Sequence, residues 1–411
     1  MLPRIQEDTV SVTTQHEVLI VGGGSAGITV AARLRRAGVS DVGLLDPATT
    51  HYYQPLWTLV GGGRAKLSTS ARPQEKQIPA GVTWHRKAAT AVDPEARTVT
   101  LADGERIGYR YLVMCPGIQL DWEKIPGLSD TLGENGVSSN YLADTAPTTW
   151  EFIQGLRSGT AVFGMPAGPI KCAGAPQKIA YLAADYWRQQ GVLDDIRVVL
   201  VLPTPGMFGV PVFAKELERV AKGYGIEVRF NSEVTEVDAS ARTALVVNRT
   251  EDTKEALGYD VMHLVPPQSA PDWVKASPLA DPANPAGYVA VDKNTMQHTS
   301  YPDVFALGDA GSTPNSKTGA AIRKQAPVVV QNLVDVKAGR APSASYGGYA
   351  SCPLTTARNK MLLAEFDYAV QPTPSFPPRL VDATKERRDM WYLKKYGLPA
   401  MYWNLMLKGR A

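Results

Sequence analysis

Of the three cysteines in this 411-residue chain, two stand in settings suited to chemistry. Cys172 lies in Ile170-Lys171-Cys172-Ala173-Gly174-Ala175-Pro176-Gln177-Lys178, and Cys352 in Tyr349-Ala350-Ser351-Cys352-Pro353-Leu354. They are far apart in sequence, and each is wrapped in turn-forming residues. A buried unpaired thiol usually serves as a small apolar filler, but a thiol in such a loop is free to exchange sulfur or electrons. Near the start of the chain, Gly22-Gly23-Gly24-Ser25-Ala26-Gly27 fits G-x-G-x-x-G at Gly22, Gly24 and Gly27. The first glycine allows a tight turn, the second lets backbone approach a pyrophosphate, and the third lets a helix pack closely on a strand. Asp46 ends the next strand, where a carboxylate can accept bonds from ribose hydroxyls. A dinucleotide cofactor combined with two reactive thiols points to electron transfer through sulfur.

The elements that must position these groups form an α/β pattern. Apolar runs and their spacing predict a strand at 17–21, a helix at 25–37 and a strand at 42–45, a unit of the right length for a parallel sheet. Further strands are predicted at 98–101 and 111–114. A second α/β block begins near 160, with strands at 161–164, 196–202 and 227–230 and helices at 178–190 and 212–224. A buried strand at 304–307 and a helix at 318–336 follow. Two Rossmann-like domains result, one inserted in the other, with 16–157 and 274–345 as the first, 158–273 as the second, and 346–411 as a C-terminal segment. In that segment, residues 385–411 mix Trp391, Tyr392, Tyr396, Tyr402 and Trp403 with arginines and lysines. Such a mixture suits an amphipathic helix lying in a membrane interface, and equally a helical pair packed on the protein.

Composition excludes several classes. A net charge of +3 without a basic arm argues against nucleic acid. Three cysteines do not make a secreted disulfide framework, and five scattered histidines show no metal-ligand spacing. The first fifteen residues are polar and poor in arginine, which argues against a secretory signal or a presequence in the form given. No apolar run approaches the roughly 20 residues needed to span a bilayer.

The turn that opens the second block reads Gly164-Met165-Pro166-Ala167-Gly168-Pro169-Ile170-Lys171-Cys172. In NAD(P)H-dependent disulfide reductases the corresponding turn is glycine-rich and cradles NAD(P)H. Here prolines remove the N–H donors a phosphate would need, so electrons should come from another donor. The fingerprint at Gly22 does not itself separate NAD from FAD. Leu307-Gly308-Asp309, an acidic residue at a second strand end, is similar to the late flavin-binding segment of two-domain flavoproteins.

Together these motifs, with His51-Tyr52-Tyr53-Gln54-Pro55-Leu56-Trp57 and Ser316-Lys317-Thr318, resemble sulfide:quinone oxidoreductase, most closely its mitochondrial-type branch. The resemblance implies the flavoprotein disulfide reductase fold and a bound FAD. It places Gly22, Gly24, Ser25, Ala26, Gly27, Asp46, Gln54, Ala89, Gly117 and Asp309 at FAD contacts, and Lys317 near the flavin pyrimidine edge. Cys172 and Cys352 become the redox pair, with Cys172 at the flavin and the persulfide on Cys352. Cys115, in Met114-Cys115-Pro116-Gly117, departs from the plan and is read as a buried structural thiol. The implied partners are hydrogen sulfide, a membrane quinone (ubiquinone or menaquinone), a sulfur acceptor such as sulfite or a thiol, and the membrane surface; a homo-oligomer is compatible. A bacterial inner membrane is preferred over the mitochondrial inner membrane. The competing readings are an NADH:quinone oxidoreductase, a flavocytochrome-type sulfide dehydrogenase and a non-catalytic flavoprotein.

Overall fold

The computed structural model describes residues 12–172 and 174–411; the polar N-terminal stretch read above falls largely outside them. Strand Val12–Val21 is flanked on both sides by parallel strands, Val42–Leu45 and Arg106–Met114. Val18, Leu19 and Ile20 are fully buried. With both faces of the sheet covered, a continuous apolar run replaces the alternating pattern of a half-exposed strand. Val82–His85 and Val304–Ala306 extend the parallel sheet, and the hairpin strands Ala89–Asp93 and Thr98–Leu101 complete seven strands. Helix Ser25–Arg36 turns Ile28, Val30, Ala31 and Leu34 inward and shares one core with helix Gly319–Lys337.

A second parallel sheet is built from Val137–Ser138, Val261–Leu264, Gly159–Gly164, Ile196–Val201 and Glu227–Arg229, in that spatial order. Its first strand comes from ahead of residue 158. Helix Ala175–Gln190 covers this sheet. It begins three residues earlier than its predicted start at 178. Pro176 reads as a loop residue in sequence, yet it sits in the first turn, where its missing N–H has no intrahelical partner to lose. Gly191, with φ +71°, ends the helix in the left-handed conformation.

The chain then forms the antiparallel hairpin Ala350–Ala357 and Lys360–Phe366. Cys352, Leu354, Leu362 and Ala364 pack on helix Ala175–Gln190, while Met361 and Leu363 meet Met390 on the opposite face. The final elements are an α-helical turn, Arg388–Tyr392, a π-helical turn, Leu393–Gly397, and helix Leu398–Asn404. Most of their aromatic residues point inward. Trp391, Tyr402, Trp403, Met406 and Leu407 are buried, the last four in the core around helix Ser25–Arg36. Tyr392, Tyr396 and Leu405 remain exposed, with the two tyrosine rings stacked 6.4 Å apart. Among the described residues no helix is long and apolar enough to cross a membrane.

Candidate active site

The glycine loop is shaped by close approach on one side and open space on the other. Gly22 has φ +100°, and a Cβ there would lie 2.2 Å from the Cys115 carbonyl oxygen. A Cβ on Gly27 would strike the Gly22 carbonyl oxygen at 1.8 Å. Around Gly24 a Cβ would meet nothing within 4 Å, so the middle of the loop is a cradle with room for a ligand. Helix Ser25–Arg36 opens at this point and directs its free N–H groups into the cradle. These features fit a dinucleotide pyrophosphate. Asp46 accepts hydrogen bonds from the N–H groups of Gly23 (2.5 Å) and Ala48 (2.7 Å), and burial raises its pKa. Ala89 packs, half-buried, against the apolar cluster containing Val21 and Leu45, the residues just ahead of Gly22 and Asp46. Gly117, with φ +77° and open space at its Cβ position, ends the turn that carries Cys115. Cys115 itself is buried, and burial pushes its thiol well up, which suits a structural residue.

The two cysteines remote in sequence are brought together, and both are free thiols. Cys352 is fully buried in its hairpin strand. Cys172 occupies the left-handed region at φ +53°, a strained setting for a residue other than glycine. Several bonds impose it. The Cys172 N–H donates to the Lys317 carbonyl (3.0 Å), the Lys171 N–H donates to Gln268 Oε1 (2.8 Å), and the Tyr141 hydroxyl donates to the Lys171 carbonyl (2.7 Å). Gly174 lets the hairpin close in, since a Cβ there would lie 2.2 Å from Leu354 Cδ2.

Charge is divided unequally between the sulfurs. A hydrogen bond from Cys352 holds the Cys172 thiol well below its ordinary pKa, and Lys178 adds to the effect. The same bond raises Cys352, which keeps its proton. Lys178, 2% exposed, donates from Nζ to Cys172 Sγ at 2.8 Å. Burial opposes its charge, but the two facing sulfurs outweigh that and raise its pKa. Lys394, in the π-helical turn, is also buried; burial, with Lys178 nearby, brings it down to about 7.

The remaining predicted residues converge on the same region. Gln54 Oε1 accepts from Lys171 Nζ at 2.7 Å, which ties the first domain to the cysteine loop. Gly308 packs on Ala26 and so brings Asp309 to the end of helix Ser25–Arg36. Burial raises Asp309, and Lys317 and Lys171 partly offset it. Lys317 donates from Nζ to the Gly311 carbonyl (2.8 Å) and lies 3.8 Å from the Tyr288 ring centroid; burial lowers it to about 8. Sequence reasoning gave no role to Lys178, and placed Lys394 and Tyr402 only among the aromatic and basic residues of the C-terminal segment. Lys178 stood inside the quoted cysteine motif, six residues after Cys172, and that spacing was the available signal.

The pyridine nucleotide-disulphide oxidoreductase family model matches residues 16–326. A "Sulfide:quinone oxidoreductase, mitochondrial" of Dictyostelium discoideum is 42% identical over 96% of this chain and 86% of its own length. The protein of the same name from Mus musculus is 40% identical over 96% of this chain and 87% of its own. The X-ray structure of the sulfide:quinone oxidoreductase from Aquifex aeolicus superposes with a TM-score of 0.81, covering 97% of this chain and 92% of that one at 21% identity. The expected preference for a bacterial membrane gains no support, because relatives at this level of identity are mitochondrial by name.

Proposed function

The chain belongs to the pyridine nucleotide-disulphide oxidoreductases and, within them, to the sulfide:quinone oxidoreductases, and from that footing we propose how its own residues carry the reaction. It is a flavin-dependent oxidoreductase that takes electrons from sulfide and delivers them to a quinone. The flavin is FAD, which the Gly22–Gly27 cradle would hold together with Asp46 and Asp309. When bound, FAD accepts two electrons from the sulfur pair and releases them to quinone.

The observation that carries this reading is the Cys172–Cys352 pair beneath Lys178, on a loop whose prolines leave no phosphate cradle for a nicotinamide donor. In the oxidised enzyme the two sulfurs form a disulfide. Hydrosulfide attacks Cys352 Sγ, the S–S bond breaks, a persulfide forms on Cys352, and Cys172 leaves as a thiolate. Lys178 stabilises that thiolate, which is why Cys172 is the leaving sulfur. A nucleophilic acceptor, sulfite or a thiol, then takes the outer sulfur from Cys352. Cys352, released as a thiolate by that transfer, re-forms its bond to Cys172, and the two electrons freed would pass to the flavin. Lys178 supplies positive charge that favours an anionic acceptor at the pair, and Lys394 adds to it below about pH 7. Because quinone is lipid-soluble, the enzyme must reach a bilayer, and exposed Tyr392 and Tyr396 beside Lys395 supply the contact.

Anaerobic stopped-flow tests the reading. Sulfide alone should raise a long-wavelength absorbance band from a thiolate beside the flavin, and sulfide followed by sulfite should bleach it. Bleaching by NADH and not by sulfide with sulfite would refute the reading in favour of an NADH:quinone oxidoreductase.

A further inference from the structure

The glycine loop is held by a closed ring of buried hydrogen bonds that the fingerprint does not announce. Gln74 donates from Nε2 to the Gly23 carbonyl at 2.9 Å. His51 Nδ1 lies 3.0 Å from Gln74 Oε1, and His51 Nε2 lies 2.5 Å from the Tyr402 hydroxyl. The Tyr402 hydroxyl lies 2.7 Å from Ser25 Oγ. His51, Gln74 and Tyr402 are 3%, 1% and 3% exposed.

The proton positions follow from one fixed end. The Gly23 carbonyl can only accept, so the Gln74 amide nitrogen faces it and the amide oxygen faces His51. Burial lowers His51 to about 4, so the ring is neutral. Its Nδ1–H therefore donates to Gln74, and Nε2 accepts from the Tyr402 hydroxyl. The Tyr402 oxygen then accepts from the Ser25 hydroxyl. Each of the four links thus has one donor and one acceptor. Its two ends, Gly23 and Ser25, flank Gly24, the residue at the open cradle.

We propose that Tyr402 is a positioning residue for the cofactor, closing a Gly23–Gln74–His51–Tyr402–Ser25 ring that holds the glycine loop in its pyrophosphate-binding shape. The C-terminal segment thereby does more than pack. It supplies the keystone of a cradle whose sequence lies at the other end of the chain. Tyr53, 4.4 Å from the Tyr402 ring centroid, and Trp403, at 4.9 Å, pack against the phenol. The proposal rests on the FAD reading above for the identity of the ligand.

The test uses the holoenzyme. Purification without flavin would refute the FAD reading itself, before the ring is examined. Tyr402→Phe keeps the aromatic packing and removes the hydroxyl. FAD release, followed by the rise of free-flavin fluorescence, should accelerate about tenfold, the scale of one or two buried hydrogen bonds. The melting-temperature gap between holo- and apoprotein should narrow. In a double-mutant cycle with Gln74→Met the two effects on release should be non-additive. Unchanged release, equal lowering of both melting temperatures, or strict additivity would each overturn the proposal. Should Tyr402→Phe fail to fold, Gln74→Met alone replaces it with the same outcomes.

Discussion

Lys178 helps turn the Cys172–Cys352 pair into a directional device. One buried ammonium, 2.8 Å from Cys172, adds to the Cys352 hydrogen bond in placing the negative charge on Cys172. Lys178→Met should raise the Cys172 titration midpoint, read from thiolate absorbance against pH. It should also slow sulfide-dependent flavin reduction on the order of tenfold to a hundredfold, as expected for losing a charge-assisted hydrogen bond. Cys172→Ser and Cys352→Ser should each abolish sulfide oxidation in a coupled quinone-reduction assay while flavin remains bound, because the cradle lies in the other sheet's loop. These residues differed in how far sequence revealed them. Gly22 and Gly27 could be read because a side chain at either would strike backbone, Gly24 because it completes their spacing, and the cysteines because their loops are distinctive. Lys394 and Tyr402 could not be. Each acts on a partner hundreds of residues away, and nothing local marks a lysine or tyrosine as turned inward.

At the scale of elements, the segment 385–411 shows what composition conveys and what it leaves out. Alternating aromatic and basic residues describe an amphipathic surface equally well whether it faces lipid or protein. The π-helical turn Leu393–Gly397 shifts the phase of the helix, leaving Tyr392 and Tyr396 outward while Lys394 and Trp391 face in. The two roles can therefore be separated by experiment. Tyr392→Ser with Tyr396→Ser should lower co-sedimentation with phospholipid vesicles and leave the melting temperature unchanged. Truncation before residue 385 should instead unfold the first domain, because Tyr402, Trp403, Met406 and Leu407 belong to its core. A truncated protein that stayed folded and membrane-bound would contradict both assignments. The early start of helix Ala175–Gln190 has a related cause: proline signals a break in most positions but a beginning in the first turn.

Across the whole molecule, two buried neutral histidines set an acid limit. Burial holds His51 at about 4 and His263 at about 3, against an ordinary 6.5. A base held below its ordinary value binds fewer protons in the fold than in the unfolded chain. Their contribution is thus complete above pH 6.5 and is lost as pH falls toward 4. Melting temperatures measured across that window should decline with acid, and His51→Gln should flatten part of the slope. The ring at Gly24 has one more consequence, in the order of synthesis. Ser25 and Tyr402 are 377 residues apart. A ribosome adding about 5–20 residues per second needs roughly 20–75 s to travel between them. Throughout that interval the nascent glycine loop lacks its keystone, so the cradle takes its final shape only after the far end of the chain has emerged.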